Sequence, residues 1–522
     1  MSLSRLFRLA YSGLVLAREG ALALIDPAML PPGPALLVRM ARLIERRSSL
    51  ERSERLNAAL ARLGPSYVKF GQFLATRPDI VGIEAAASLG RLRDEMPPFA
   101  DGEARAVIAA ALGRPVEALF SQFSTALAAA SIAQVHRAEI SDGAGGKRYV
   151  AVKILRPGVR QRFQRDLDTF YAGAHLAEFW DRRSHRLKPV AVVDTLARSV
   201  TLEMDLRLEA AALSEMGEAS RRGIGLRVPR VEWERTARDV LTMEWVEGTK
   251  MSNLAALKAA GHDLPLLARK LMQSFLRQAL REGFFHADLH QGNLFVDAAG
   301  EIVAVDFGIM GRLGKKERRF LAEILYGFIT RDYRRIAEVH LEAGYVPGHH
   351  PLEDFAQALR AIGEPIHDRP ARSISMARLL QHLFEVTGLF DMETRPELLL
   401  LQKTMVVVEG VCRSLDEDFD MWSTSEPVVR DWMKRNLGAA GKLQDAADGF
   451  LALSRLLSQM PLLAERAERL SLDLAQMGGR GMKPDPETVE KIGTAEARAS
   501  RFGRLALWII ALSVAWLAMR LP

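Results

Sequence analysis

Three short segments constrain this chain more than anything else in it. Val150-Ala-Val-Lys153 reads as a strand ending in a lysine among apolar neighbours. His286-Ala-Asp288-Leu-His-Gln-Gly-Asn293 is turn-rich and carries an acid and an amide five residues apart. Ala304-Val-Asp306-Phe-Gly308 is an apolar run that delivers an acid just before a glycine. Singly, each has an ordinary reading, such as a strand-end lysine in solvent. In this order they meet a chemical need. Phosphoryl transfer takes an acid near the attacking oxygen, an amide oxygen and a carboxylate on Mg²⁺, and a lysine on the phosphates. Mg²⁺ takes hard oxygen ligands, which Asn and Asp supply.

Composition removes several competing classes. A chain of 522 residues implies about two to four domains and ample core. A hydrophobic share of 48% excludes wholesale disorder. The lone Cys412 excludes a disulfide framework and any cysteine-based zinc or iron–sulfur site. The net charge, 71 − 64 = +7, is a mild excess with no long Lys/Arg tract, so nucleic acid is not an expected partner. A basic face toward anionic lipid or nucleotide is the better meaning.

Patterning divides the chain. Met1 to about Ile25 reads as an amphipathic helix without a secretory h-region. Prolines break the pattern from Asp26 to Pro34, and helical periodicity resumes from Leu36 to Leu63. Gly64-Pro65-Ser66 marks a new start, with a helix through Lys69, Gly71 and Gln72. A short helix runs from Asp101 to Gly113. Ser131–Ile140 and Tyr149–Leu155 pair as a β-hairpin around a turn-like Ser141–Lys147. Helices are expected over Gln161–Trp180 and Val190–Glu218, then strands near Val228–Trp233 and Val240–Trp245. Beyond Gly248 the chain reads as mostly helical, apart from Leu294–Val296 and Ile302–Val305. The expected division is 1–120 as a helical extension, 121–247 as a small lobe, 248–420 as a helical lobe, 421–502 as a further helical region and 503–522 as a membrane tail. The tail rests on Leu505–Met519, an uncharged run with Trp508 and Trp516, bracketed by Arg504 and Arg520. Its helix would span roughly 22 Å against roughly 30 Å of hydrocarbon, a gap that snorkelling arginines narrow.

From about Leu63 to Glu409 the chain resembles the UbiB family of atypical protein-kinase-like proteins, tied to ubiquinone biosynthesis. The most specific mark is Leu63-Gly-Pro-Ser-Tyr-Val-Lys69-Phe-Gly71-Gln72, similar to the family's KxGQ motif. Ala128-Ala-Ala-Ser131 resembles the alanine-rich loop that replaces the glycine-rich loop of ordinary kinases, although Ala126 stands where the family has proline. Glu203-Met-Asp205 resembles its ExD element, Glu209 its αC glutamate, and Leu241–Gly248 its hinge.

The resemblance implies an α+β, kinase-like bilobal fold with a helical extension and a C-terminal anchor. It implies ATP and Mg²⁺, with Lys153 on the phosphates, Glu209 paired to it, Asp288 at the catalytic-acid position and Asn293 and Asp306 on the metal. It places Ala128, Ala129, Ala130, Ser131, Glu244 and Val246 around the nucleotide. Lys69 and Gln72 would reach from the extension toward Glu203 and Asp205. Spacing alone leaves open which acid meets Lys153, since Asp205 and Glu209 share a helix face and Glu203 lies off it. Alanine in place of glycine restricts the backbone's approach to phosphates, so the nucleotide should be held differently from that of an ordinary kinase.

The expected function is that of an ATP-binding, Mg²⁺-dependent kinase-like enzyme or ATPase of ubiquinone biosynthesis. It would sit on the cytoplasmic face of the inner membrane, near lipid, polyprenyl phenol intermediates and other proteins of that synthesis. Rival readings are a nucleotide-gated scaffold, a small-molecule phosphotransferase of the aminoglycoside or choline type, and a 2-polyprenylphenol 6-hydroxylase. The last needs flavin, haem or iron, and no fingerprint for these is present. His349-His350, between Pro347 and Pro351, reads as a solvated loop.

Overall fold

The protein is described by a computed structural model covering residues 3–21, 36, 38–40, 43–46, 52–75, 81, 83–90, 92, 96–141, 146–180, 188–367, 386, 388–392 and 396–437. Met1–Arg435 form one compact unit. Among the described residues no helix is long and apolar enough to cross a membrane. The Leu505–Met519 run, the proline-rich break at 26–34 and most of the helical region expected over 421–502 lie outside the described residues.

The small lobe is an antiparallel four-stranded sheet in the order β1 (Gln122–Ala129), β2 (Ala133–Ser141), β3 (Lys147–Leu155), β4 (Val240–Glu244). The expected hairpin is β2–β3, with Val135 opposite Lys153 and His136 opposite Val152. Strand periodicity sends successive side chains to opposite faces. Val150, Val152 and Ile154 enter one core with Ala104 and Ile108, while Ala151 and Leu155 enter the other. Lys153 shares the second face and is thereby aimed between the lobes.

Helix α1 (Leu3–Arg18), α2 (Arg52–Leu63) and α3 (Pro65–Ala75) make the extension. Gly64 holds φ +108° between α2 and α3, a conformation that favours glycine. The long helix expected over Leu36–Leu63 is interrupted by non-helical backbone at 43–46. Helix α4 (Asp101–Leu112) caps the sheet's outer face and ends on Gly113 at φ +67°. Helix α5 (Val159–Trp180) follows β3, and the expected Val190–Glu218 helix is two, α6 (Pro189–Glu203) and α7 (Leu206–Arg221). Asp205 breaks it by capping α7, accepting from Arg207 N at 3.2 Å. Val228–Trp233 is not a strand. It holds one isolated bridge, Val231 to Met243, and runs into a 3₁₀ turn at Trp233–Arg235.

The helical lobe is built on α8 (Leu264–Leu276), which continues as a π-helix over Arg277–Glu282. Short strands follow: β5 (Thr249–Lys250) precedes α8, then come β6 (Phe284–His286), β7 (Leu294–Val296), β8 (Ile302–Ala304) and β9 (Met310–Arg312). Helices α9 (Lys315–Thr330), α10 (Tyr333–Glu342), α11 (Leu352–His367), α12 (Pro396–Leu415) and α13 (Met421–Leu437) complete it. Helix α12 lies on α8, where buried Cys412 donates to Ala268 O at 3.2 Å. Helix α13 joins the same lobe: Trp432 Nε1 donates to Leu280 O at 2.8 Å.

Candidate active site

Lys153 leaves β3 and meets two carboxylates. Its Nζ donates to both oxygens of Glu209 at 2.9 Å and to Asp306 Oδ1 at 3.1 Å. Glu209 is thus the acid on Lys153. It lies in the first turn of α7, where a negative charge suits the helix dipole. Burial works to lower the Lys153 ammonium, but the charges of Asp306 and Glu209 outweigh it and raise its pKa. Burial and the Asp306 charge push Glu209 up to about 7 against the pull of Lys153. At Asp306 burial acts upward, yet the ammonium holds the carboxyl down at about 2.

Strands β7 and β8 bring the metal candidates to one end of a hairpin. Leu294 pairs with Ala304, and Val305 N donates to Asn293 O at 2.9 Å. Asn293 and Asp306 therefore lie together at the open end of the hairpin, away from its Asp297–Glu301 turn. Asn293 Nδ2 donates to Asp288 O at 3.1 Å and reaches Asp288 Oδ2 at 3.5 Å, which shapes the loop between them. Asp306 is left-handed at φ +60°, a strained conformation for a non-glycine residue and one that clusters at functional sites. Its neighbour Phe307 is 1% exposed and anchors the turn. An amide oxygen and a carboxylate at one end of a hairpin fit a hard cation such as Mg²⁺.

His286 ties these loops together, a role the sequence did not reveal. It is fully buried, and burial lowers its pKa. Asp288 N donates to its Nδ1 at 3.1 Å, so the ring proton belongs on Nε2, which faces Val305 O at 3.4 Å. A neutral imidazole thus spans the Asp288 and Asp306 loops. Buried Thr404 on α12 places its hydroxyl 3.1 Å from Ala287 O and supports the same loop from behind.

The alanine-rich segment is the end of a strand and a turn, not helix. Ala128 and Ala129 pair with Val135 and Gln134, and Ala130 N donates to Ala133 O at 2.7 Å. Ser131 is buried. Arg156 clamps this turn: its Nε donates to Ala130 O at 2.9 Å, its Nη2 to Pro97 O at 2.8 Å, and its own N–H to Ile132 O. Nothing but its place after Lys153-Ile-Leu could have marked Arg156 in the sequence. Glu244 closes β4, its carboxylate accepting from Arg227 and its backbone N–H donating to Arg230 O. Val246 follows in the segment to β5, where Gly248 lets the chain pass Val296: an added Cβ would stand 2.7 Å from its carbonyl oxygen.

Lys69 projects from α3 and forms an ion pair with Glu203, the last residue of α6. Phe170 of α5 grips α3, stacking on Phe70 at 4.7 Å and meeting Tyr67 edge-on at 4.8 Å. Gly71 lets α3 pack closely on Leu60 of α2, since an added Cβ would come within 2.6 Å of its side chain. Gln72, three residues on from Lys69, lies half-buried on the same helix. Asp205 takes Arg207, through Nη2 at 2.6 Å, and stands 3.9 Å from Arg238. The Glu203 charge contributes to raising Glu209, so the Lys69 pair adjoins the Lys153 pair.

A small sheet lobe, a strand lysine on a helix glutamate, and two loops bearing Asp288, Asn293 and Asp306 together define a kinase-like protein. Residues 91–340 match the ABC1 atypical kinase-like domain and residues 359–420 the UbiB helical domain. The chain is 39% identical over 423 residues to "Probable protein kinase UbiB" of Marinobacter nauticus, spanning 80% of this chain and 77% of that one. A Mycobacterium tuberculosis protein solved in complex with erythromycin gives a TM-score of 0.49 at 25% identity, over 72% of this chain and 95% of that one. The chain belongs to the UbiB family of ABC1 atypical kinase-like proteins.

Proposed function

We propose that this chain is an ATP-binding, Mg²⁺-dependent atypical kinase or ATPase required for ubiquinone biosynthesis, acting at the membrane on or around lipid-quinone intermediates. The observation that carries the reading is Lys153 held between Glu209 and Asp306, beside the Asp288–Asn293 loop. Lys153 neutralises nucleotide phosphates, and Glu209 keeps its ammonium in place. Asp288 orients the attacking oxygen and takes up its proton. Asn293 and Asp306 would hold Mg²⁺, whose chemistry is to offset phosphate charge. Glu244 and Val246 border the base, and Ala128–Ser131 cover the phosphates.

Lys69 in its ion pair with Glu203 holds the extension over this region, which disfavours long peptide substrates and favours small or lipidic ones. Support for membrane action comes from α1, which exposes Phe7, Tyr11 and Leu14 at helical spacing. The Leu505–Met519 run would anchor the protein to the cytoplasmic face of the inner membrane, near other proteins of the synthesis. The test is ATP turnover by the full chain, with and without anionic liposomes and a phenolic quinone precursor. Turnover that rises with both supports the reading. Turnover indifferent to both refutes its membrane and quinone part, and no turnover under any condition refutes the enzyme.

A further inference from the structure

We propose that His349, His350 and Asp391 form a binding site for a divalent transition-metal ion of the Zn²⁺ class, remote in sequence from the nucleotide site. The turn between α10 and α11 carries the two histidines, and Asp391 comes from 41 residues further along. His350 Nε2 lies 3.3 Å from Asp391 Oδ2 and His349 Nε2 lies 4.0 Å from it. The three ligand atoms all fall within 4.8 Å of one another. Around a tetrahedral Zn²⁺ with bonds of about 2.0–2.1 Å, ligand atoms stand about 3.3 Å apart. One pair already has that separation, and the other carboxylate contact closes by less than an ångström.

The frame is rigid where a site needs it. His350 N donates to Pro347 O at 3.2 Å, which fixes the turn. Its ring packs against Phe390 at 5.3 Å, and Phe390 is buried on Phe355 at 4.9 Å. That anchor sits one residue before Asp391, whose φ of +48° is left-handed, the kind of backbone strain found at ligand sites. The two imidazoles lie 4.2 Å apart, tilted by 37°. Two imidazoles and one carboxylate suit Zn²⁺, Co²⁺ or Ni²⁺ far better than Mg²⁺ or Ca²⁺. Three protein ligands leave a further position for water or a small ligand. Binding would tie the α10–α11 turn to residue 391.

The experiment uses the full chain, purified without a polyhistidine tag, stripped with chelator and kept free of nucleotide. Zn²⁺ and Co²⁺ are titrated by calorimetry and visible absorbance. One equivalent should bind, with a Co²⁺ d–d band and a raised melting temperature. His349→Ala and Asp391→Asn should each weaken it by about tenfold or more, while Asp306→Asn should leave it intact. His349 is largely exposed, so its metal-free variant should melt with the parent. No stoichiometric binding by the parent overturns the proposal, as does binding unaltered in His349→Ala and Asp391→Asn. Loss in Asp306→Asn instead would assign the ion to the nucleotide site and overturn it equally.

Discussion

Glu209 shows most directly how one residue sets the site's behaviour. It is buried against Lys153 and Asp306, and its pKa moves from an ordinary 4.5 to about 7. Between those values the folded state binds more protons than the unfolded chain. Its stabilising contribution is therefore complete below about pH 4.5 and is lost as pH rises through about 7. Asp306 has the opposite sign and a separate window, since its lowered pKa matters only as pH falls toward 2. Glu209→Gln removes the first effect without removing volume. The melting temperature of this variant should lose the part of its pH slope that lies between about 4.5 and 7. A slope identical to the parent's would show that Glu209 does not titrate in that range. That Lys153, Asp288, Asn293 and Asp306 come together was legible in the sequence because phosphate chemistry restricts residue type and order. The acid on Lys153 was named by the resemblance but not by spacing, because Asp205 and Glu209 are spaced as helix neighbours and nothing in spacing reveals that Asp205 is the cap of α7.

At the scale of elements, Arg156 joins three pieces of chain: the Ala128–Ser131 turn, the Pro97 segment and the end of β3. Its guanidinium also lies 5.6 Å from the Phe99 ring. Charge-assisted hydrogen bonds to backbone carbonyls contribute about 1.5–3 kcal/mol each when they are well shielded. Arg156 is half-buried, so Arg156→Ala should cost about 1–3 kcal/mol in all and loosen the turn over the phosphates. Nucleotide Kd should rise severalfold, and Arg156→Lys, which keeps one donor, should recover part of it. Equal Kd values in parent and Arg156→Ala would remove the clamp from the account. Elements were legible where periodicity is long, as in α5 and the β2–β3 hairpin. Strand β1 was missed because its residues, none of them buried, show no regular alternation. Strands β5, β6 and β9, of two or three residues each, are too short to carry a period. The Asp391 partner of His349 and His350 is a long-range contact that local pattern does not encode.

For the molecule as a whole, the extension and the kinase-like lobes share one core. Leu60 and Tyr67 of the extension pack in the same cluster as Leu213 of α7 and Phe275 of α8. The Lys69–Glu203 pair then fixes α3 beside the Lys153 pair. Under the proposed function, this arrangement would restrain the site, admitting nucleotide and disfavouring large acceptors. The proposed function rests on a Mg²⁺-dependent nucleotide site made by Lys153, Glu209, Asp288, Asn293 and Asp306. The most direct measurement is ATP binding by the full chain, by calorimetry with and without Mg²⁺, in the parent and in Asp306→Asn. The parent should bind ATP more tightly when Mg²⁺ is present, by tenfold or more on the order of one metal–carboxylate contact. Asp306→Asn should lose that enhancement while staying folded. An equal Mg²⁺ enhancement in Asp306→Asn, or no ATP binding by the parent, would contradict the account.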